Sequence, residues 1–337
     1  MTLIRQSKWT RREFLTAGGG LAGIMSVRVG KTAGRAGFPA EAKSKVVLVR
    51  TNDRSEGVKK CLDLLNINPV RGKNVLIKPN FNTSDATPGS THNDTLKAIL
   101  ARVKEMGAKA ISIGDRSGPE PTEQVLEKKK IRELAAEFDA GFLNLDELGE
   151  DGYVLFQPRG SHWKSGFLVA KPVVNAASLI STCCLKTHGF GGVFTMSLKN
   201  SVGVVPRKGH EYMGELHRSP DQRKMIAEIN LAYRPDIVIL DGVEAFVDKG
   251  PMDGPRKEAD VFLAGTDRVA VDAVGVAILK DLGSNDAIMK PAVFEQEQIA
   301  RAAELGLGAK SPEDILIETG DRASEEYAAK ITKILSA

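Results

Sequence analysis

Residues 178–203 read SLISTCCLKTHGFGGVFTMSLKNSVG, and this stretch decides the predicted fold. Its first part, Ser178 to Cys184, is a short apolar run with β-branched members, which is typical of a buried strand in an α/β sheet. The polar residues Lys186 and His188 come next and predict a turn at the end of that strand. Glycines at positions 189, 191 and 192 follow, and glycine allows a positive φ or a close approach of the backbone to a ligand.

The segment from Val193 to Val202 completes the stretch with an apolar spacing that is compatible with a helix. It carries Lys199 and Asn200, so two lysines, a histidine and an amide are expected at one edge of the sheet. Two interpretations of these side chains stay open. They form a functional site, or they belong to a loop that caps a strand and is polar because water solvates it.

Composition limits the classes of function. The chain has 337 residues, of which 42% are hydrophobic and 27% charged, as in a soluble globular protein. The formal net charge is +4, but the first 42 residues hold seven basic and two acidic side chains, so the remainder has a net charge of −1. Aromatic residues make up 5% of the chain and do not alternate with basic ones. We therefore expect no binding to nucleic acid.

The amino terminus resembles a twin-arginine export signal. The sequence TRREFL at residues 10–15 contains the paired arginines Arg11 and Arg12, and a Gly-rich, weakly apolar run follows from Thr16 to Val27. That run is too short to span a bilayer but suits a signal segment. We expect residues 1–42 to direct the protein through the twin-arginine machinery to the periplasm or the exterior. The alternatives are a signal that is retained as a membrane anchor, or an ordinary amphipathic start.

Cysteine usage bears on cofactors. Three cysteines do not make a disulfide framework, and adjacent cysteines such as Cys183 and Cys184 rarely bridge without strain. These two are expected to be buried strand residues. Because no C-x-x-C pair occurs in the sequence, we expect neither an intrinsic iron–sulfur cluster nor a structural zinc held by this chain alone.

Beyond residue 45, apolar runs of strand length alternate with amphipathic segments of helix length. This pattern predicts one α/β domain over residues 45–337, with a mostly parallel sheet, helices on both faces and long loop insertions. The predicted strands are 46–50, 74–78, 110–114, 142–145, 178–184, 236–240, 260–264 and 315–317, with a β-rich excursion over 153–170. The predicted helices are 55–65, 93–106, 123–138, 221–233, 267–282 and 324–335. Residues 203–224 form a predicted lid, and residues 245–258 form a second long loop.

Polar residues flanked by glycine follow several of the predicted strands. In an open parallel sheet, ligands bind outside the carboxyl ends of the strands, so we expect these residues to share one edge. They are Lys78 and Asn80, Asp115 and Arg116, Lys186 and His188, Asp241, and Asp267. For Asp267, which precedes a predicted helix, the simpler interpretation is a helix N-cap.

Residue chemistry gives these side chains predicted roles. Cationic and amide groups suit the binding of a small anionic ligand, and five are candidates: Lys78, Asn80, Arg116, Lys199 and Asn200. Histidine titrates near physiological pH, so His188 and His217 form a predicted acid–base pair, with Lys186 as a third catalytic candidate. Asp115 and Asp241 are candidate ligands of a divalent metal; alternatively they serve turns or neutralise the lysines.

Two functions are compatible with this set. The first is an enzyme that acts on a small anionic substrate at the carboxyl ends of the strands. The second is a periplasmic ligand-binding protein, or an accessory protein of a redox complex, whose pocket performs no chemistry. A receptor has no need of a histidine flanked by two lysines, which favours the enzyme. The sequence leaves the substrate, the reaction and the oligomeric state open.

A series of motifs, taken in order, resembles the bacterial and archaeal family named Domain of Unknown Function 362. They are IKPN at 77–80, GD at 114–115, LKTHG at 185–189, SLKN at 197–200 with Gly203, the later His217, DIVILDGVEA at 236–245 and AGTDRVAVDAVG at 264–275. The resemblance covers residues 45–317. It implies an association with iron–sulfur proteins, which many members resemble or are fused to, and twin-arginine signals in some members. This chain departs from that pattern because it lacks ferredoxin-type cysteines.

Overall fold

The chain folds around one mixed sheet, and the computed structural model describes residues 43–207 and 210–337. The strands of the sheet are β1 Ser44–Arg50, β2 Asn74–Lys78, β3 Ala110–Asp115, β4 Gly141–Asn144, β7 Ser178–His188, β8 Val193–Thr195, β9 Ile237–Phe246, β10 Arg256–Gly265 and β11 Ile315–Glu318. A separate hairpin consists of β5 Tyr153–Phe156 and β6 Phe167–Ala170. The strand order is β11-β1-β10-β9-β7-β2-β3-β4, with β8 paired to β7.

Most strands of the sheet run in one direction. Parallel pairs join β11 to β1 and link β9, β7, β2, β3 and β4 in succession. Strand β10 is antiparallel to both of its neighbours, and β8 is antiparallel to β7. The prediction of a mostly parallel α/β sheet is therefore confirmed.

Helices connect the strands. Those of four or more residues are Arg54–Leu65, Asn93–Glu105, Thr122–Lys128, Ile131–Ala136, Lys171–Val174, Ser197–Asn200, Tyr212–Arg218, Gln222–Ile229, Arg268–Asp281, Asp286–Met289, Glu297–Glu304 and Arg322–Leu335. The charged helical segments predicted over 123–138 are two helices, Thr122–Lys128 and Ile131–Ala136. They are separated at Lys130, whose φ of 53° lies in the left-handed region and interrupts the helical turn.

Both faces of the sheet are covered, as predicted. Successive side chains of a strand point to opposite faces, and β1 buries both sets. Val46 and Leu48 belong to one hydrophobic core and Val47 and Val49 to another, and all four are at most 1% exposed. Burying side chains of this size stabilises the fold by about 1.5–3 kcal/mol each. The helix Arg268–Asp281 packs in the first core.

Several predicted boundaries are wrong, and the errors concern the edge where the site was expected. Strand β7 continues through His188 and β9 continues through Phe246, so the residues predicted to form turns there lie within strands. The reason is a ladder partner that the local sequence does not reveal. Strand β8 pairs with residues 186–188, and β10 pairs with residues 241–246.

Asp267 does not share the carboxyl edge. Gly265 pairs with Val238 at the start of β9, so Asp267 follows at the opposite edge of the sheet. There it caps the helix Arg268–Asp281, accepting hydrogen bonds from the backbone of Val269 and Ala270. The simpler interpretation of this residue is confirmed.

The predictions for three further segments also need correction. The stretch 203–224 contains the helix Tyr212–Arg218, so it is more ordered than a structureless lid. The segment 193–202 begins as strand β8 and becomes helical only at Ser197–Asn200. Residues 245–258 include the last residues of β9 and the first residues of β10, so the connection between these two strands is shorter than predicted.

Contacts group residues 43–337 into one compact unit. Among the described residues, no helix has the length and apolar character needed to cross a membrane. The predicted export signal, residues 1–42, lies outside the described residues.

Candidate functional site

A pocket of about 380 Å³ lies where β2, β3 and β7 end. We call it the inner pocket. Seven of the ten predicted site residues line it: Lys78, Asn80, Asp115, Arg116, His188, Lys199 and Asn200. This placement at the carboxyl edge follows from the parallel strand directions.

Lys78 and Asp115 form a buried ion pair at the base of the pocket. Both side chains are 1% exposed, and Lys78 Nζ lies 2.6 Å from Asp115 Oδ1. The ammonium also donates to the carbonyl of Pro79 (2.8 Å) and to Asn200 Oδ1 (2.9 Å). Burial raises the pKa of Asp115 and lowers that of Lys78, and the contact between the two opposes both shifts. All three donors of Lys78 are thus engaged by the protein, which gives it a supporting role beside any ligand.

Asp115 and Asn200 are engaged on their other sides. Asp115 accepts from the backbone amides of Phe81 and Arg116, each at 2.7 Å. Asn200 Nδ2 donates to Ser181 Oγ at 3.1 Å. Gly203 packs directly on the ion pair, and a Cβ there would lie 2.7 Å from Asp115 Oδ1. The φ of Gly203 is not positive, so the backbone conformation does not require a glycine. The close approach to the ion pair does, because a side chain would clash with it.

Arg116 ties the pocket wall together. Its guanidinium donates to the carbonyls of Val205 (2.9 Å), Ser117 (3.0 Å) and Val202 (2.6 Å). Burial lowers the pKa of Arg116 to about 10. The side chain therefore supplies positive charge to the pocket while most of its N–H groups bind the backbone.

Lys199 differs from the other cations. It lies in the short helix Ser197–Asn200, is 7% exposed and lines the inner pocket. Its amine has no hydrogen-bond or ion-pair partner among the described residues. Burial, followed by the charges of Lys186 and Arg116, lowers the pKa of Lys199 to about 7. Gly192 lies against this side chain, since a Cβ there would be 2.7 Å from Lys199 Cε.

His188 lines the pocket in a defined tautomer. It is 6% exposed, and its Nδ1 accepts a hydrogen bond from the backbone N–H of Gly192 at 3.3 Å. Burial, with the nearby charge of Lys199, lowers the pKa of His188 far below its ordinary value. The ring is therefore neutral at pH 7, and because Nδ1 is the acceptor, Nε2 carries the proton.

Lys186 lies behind the pocket and is not part of its lining. Its side chain is fully buried, and Nζ donates to the carbonyls of Gly89 and Pro251. Burial lowers the pKa of Lys186 to about 8. Since Pro251 lines the pocket, Lys186 fixes the pocket wall, and its geometry gives no support to the predicted direct role in catalysis.

His217 lies further out, on the exposed side of the helix Tyr212–Arg218. It lines a second, adjoining space of about 950 Å³, which we call the outer cleft. Its Nδ1–H donates to the carbonyl of Met213 at 2.7 Å, which leaves Nε2 as the acceptor in the neutral ring. Burial lowers the pKa of His217. The inner pocket and the outer cleft share His188 and Lys199, so a ligand in the two spaces contacts both histidines.

Asp241 is not brought to the site. It is 1% exposed and accepts hydrogen bonds from Arg54 Nε (3.1 Å) and from Thr95 Oγ1. Asp115 and Asp241 thus belong to separate hydrogen-bond networks. The structure does not bring them together as ligands of one metal ion. Within residues 43–207 and 210–337, no cluster of three or more His, Cys, Asp or Glu side chains is arranged to hold a metal ion.

The pocket also contains polar atoms that the sequence did not single out. Asn80 Oδ1, Asn82 Nδ2 and Thr195 Oγ1 are buried without a hydrogen-bond partner, and all three residues line the inner pocket. Asn80 was predicted, whereas Asn82 and Thr195 were missed. The signal for Asn82 was its place two residues after Asn80 in the same loop. Buried polar groups without partners are costly, so a polar ligand is the natural complement.

Fold and site together define an α/β protein with a positively charged pocket at the carboxyl edge of a mostly parallel sheet. Residues 75–277 match the family described as Domain of unknown function (DUF362). The match spans more than half of the chain, so the chain belongs to this family. The resemblance carried by the sequence motifs is confirmed for those residues.

Two further similarities extend beyond the family match. The thylakoid-associated protein sll1697 of Synechocystis sp. is 27% identical over 256 residues, which are 73% of this chain and 75% of that protein. The structure of the lactate racemase apoprotein from Thermoanaerobacterium thermosaccharolyticum matches with a TM-score of 0.43 and 14% identity, over 87% of this chain and 86% of that one.

Proposed function

We propose that this protein is an enzyme that acts on a small anionic substrate in the inner pocket. The observation that carries the proposal is the amine of Lys199, which is buried, lines the pocket and has no partner among the described residues. An isolated buried cation is costly, and an anionic ligand supplies the missing partner. Asp115, the carboxylate among the described lining residues, is already bound by Lys78 and does not compete.

The two histidines supply the proton chemistry. His188 carries its free proton on Nε2 and donates a hydrogen bond to negative charge that develops on the substrate. His217 presents an unprotonated Nε2 and accepts a proton as a general base. Lys199 binds the anionic group, and the unpartnered Nδ2 of Asn82 donates a hydrogen bond to it, whereas the unpartnered Oδ1 of Asn80 accepts from a hydroxyl of the substrate. The fixed tautomers of both rings support this division of roles.

Anion binding is tested by isothermal titration calorimetry with acetate and inorganic phosphate. We expect binding by the wild type and a loss of at least tenfold in affinity for Lys199→Met. Lys97→Met is the matched control, because Lys97 is an exposed lysine paired with Glu137. Titration at pH 8 in two buffers of different ionisation enthalpy is expected to show uptake of close to one proton, since the bound anion recharges Lys199. Absence of binding to both anions would contradict the proposal.

Catalysis is tested separately from binding. The protein is incubated in D₂O with a panel of small 2-oxo- and 2-hydroxycarboxylates, and proton NMR follows the loss of carbon-bound hydrogen signals. We expect exchange with at least one acid, abolished by His217→Asn while acetate still binds. Binding of the panel without any hydrogen exchange would contradict the proposed enzymatic activity and support the alternative, a ligand-binding protein.

A further inference from the structure

The outer cleft has a different chemical character from the inner pocket that it adjoins. Its apolar lining comes from separate segments of the chain: Phe190 from the β7–β8 turn, Met213 from the helix Tyr212–Arg218, Pro251 and Met252 from the β9–β10 connection, Pro119 from the loop after β3, and Val202 from the short 3-10 helix Ser201–Val204. A mostly apolar, concave lining with a few polar groups is typical of a ligand site.

Phe190 is the feature of this surface that local packing does not explain. Its side chain is 57% exposed, the largest value among the exposed large hydrophobic residues of the described chain. Its ring meets that of His188 edge-on, with centroids 5.8 Å apart, so the exposed face begins directly beside the inner pocket. A ligand that covers this ring gains affinity because apolar surface is removed from water.

Two arginines that line the outer cleft, Arg116 and Arg207, are engaged by the protein. Arg207 contacts Asp146 at 2.8 Å and donates to the carbonyl of Gly118 at 2.7 Å. Arg116 is bound to backbone carbonyls. These two arginines offer little to a polar ligand, whereas Lys199 and the unpartnered Nδ2 of Asn82 remain available where the outer cleft meets the inner pocket.

We propose that the ligand is an amphiphilic monoanion whose acidic head lies at Lys199 and whose hydrocarbon or aromatic body lies in the outer cleft against Phe190, Met213 and Met252. This inference rests on the proposed function and narrows its substrate class. Charge complementarity fixes the direction: the acid belongs at the cationic inner end, and the apolar body belongs at the outer end. The 950 Å³ of the outer cleft includes open solvent, and the part that can be filled, about 430 Å³, accommodates a chain of several methylenes or an aryl group.

The test is a calorimetric series with acetate, butanoate, hexanoate and octanoate. Each buried methylene adds a transfer free energy that corresponds to about a fourfold gain in affinity, so each step of two methylenes is expected to tighten binding about fifteenfold. Phe190→Ser should reduce the gain along the series and leave the affinity for acetate unchanged. Met252→Gln is a second variant with the same expectation. Leu155→Ser, which changes a 51% exposed leucine of β5, should alter nothing.

The outcomes separate this inference from the proposed function. Acetate binding that depends on Lys199, with no gain along the series, would overturn the amphiphile and leave the proposed function standing. A gain that Phe190→Ser and Met252→Gln do not reduce would also overturn it, because the chains would then lie elsewhere. Octanoate binding that survives Lys199→Met would show apolar adsorption without recognition of the acid. Failure of all four acids to bind would overturn the amphiphile, and failure of inorganic phosphate to bind as well would remove the proposed function itself.

Discussion

Lys199 is a buried cation that no described carboxylate contacts, and its titration should be visible in stability. Its pKa is about 7 in the folded chain and about 10.4 when unfolded, so the unfolded state binds more protons between these values. Stability therefore rises with pH across this window. The wild type should gain about 2 kcal/mol relative to Lys199→Met between pH 7 and pH 9, measured as the free energy of urea unfolding.

The comparison with the variant is what isolates this residue. Other groups that titrate in the same window and lie away from Lys199 are present in both proteins and cancel in the difference. At pH 7 we expect Lys199→Met to be at least as stable as the wild type, because the substitution removes an unpaired buried charge. A marked loss of stability at pH 7 would indicate that the amine has a structural partner after all.

Removal of one partner of the ion pair between Lys78 and Asp115 should destabilise the protein, whereas removal of Lys199 should not. Asp115→Asn leaves a buried ammonium without its carboxylate, and we expect a loss of about 3–5 kcal/mol in the free energy of unfolding. The double variant Lys78→Met with Asp115→Asn should lose less than the sum of the two single changes. The exposed pair of Lys45 and Glu318 is the control, for which Glu318→Gln should cost below about 1 kcal/mol. Equal costs at both pairs would contradict the structural role.

At the scale of single residues, sequence reasoning selected seven residues that line the inner pocket, but it did not distinguish the contacts that each one makes. The local sequence does not distinguish Lys78, Lys186 and Lys199, because each lies near a predicted strand end or a Gly-rich segment. Their contacts differ: Lys78 pairs with Asp115, Lys186 donates to the carbonyls of Gly89 and Pro251, and Lys199 has no partner among the described residues. Such partners depend on tertiary contacts that local sequence does not encode.

Among the elements, the helix Arg268–Asp281 offers a test of a buried cap. Asp267 accepts from Val269 and Ala270, from Ser44 Oγ (2.6 Å) and from the amide of Ala309 (2.7 Å). Asp267→Ala leaves several buried donors unpaired, so we expect a loss of about 3 kcal/mol in thermal or urea unfolding.

Asp53 is the matched control for that prediction. It caps the helix Arg54–Leu65 at an exposed position, accepting from the amide of Glu56 at 2.9 Å. Asp53→Ala should cost only about 1 kcal/mol, because water can replace the lost acceptor. If the two substitutions cost the same, burial of the cap at Asp267 contributes nothing.

Elements also show where prediction from sequence fails in physical terms. The apolar cores of β7 and β9 were located correctly, because buried parallel strands are nearly continuous hydrophobic runs. The predicted strands end too early. Polar residues such as Lys186 and Asp241 end the hydrophobic pattern of the sequence, but the backbone hydrogen bonds of the sheet continue past them. Pairing with β8 and β10 satisfies the backbone there, and burial of the polar side chains is made tolerable by specific partners.

For the whole molecule, alternation of strands and helices was sufficient to predict the class of fold. It did not reveal that β10 runs antiparallel, because hydrophobic runs carry no direction. That reversal moved Asp267 to the opposite edge and brought the β9–β10 connection, with Pro251 and Met252, over the pocket. The apolar outer cleft was therefore beyond the reach of the sequence, although the inner pocket was not.

The last prediction concerns export, which we propose from residues 1–42. These residues carry a net charge of +5, whereas the rest of the chain is at −1, so the positive charge is concentrated in the predicted signal. Recognition of paired arginines depends on the guanidinium groups as well as on charge, since lysine lacks the planar fork of donors. Replacing Arg11 and Arg12 by lysines should therefore trap the protein in the cytoplasm, measured by fractionation and immunoblotting. Replacing Arg28 and Arg35 by lysines keeps the same charge and should leave export intact. Unchanged periplasmic recovery of the Arg11 and Arg12 variant would rule out this route.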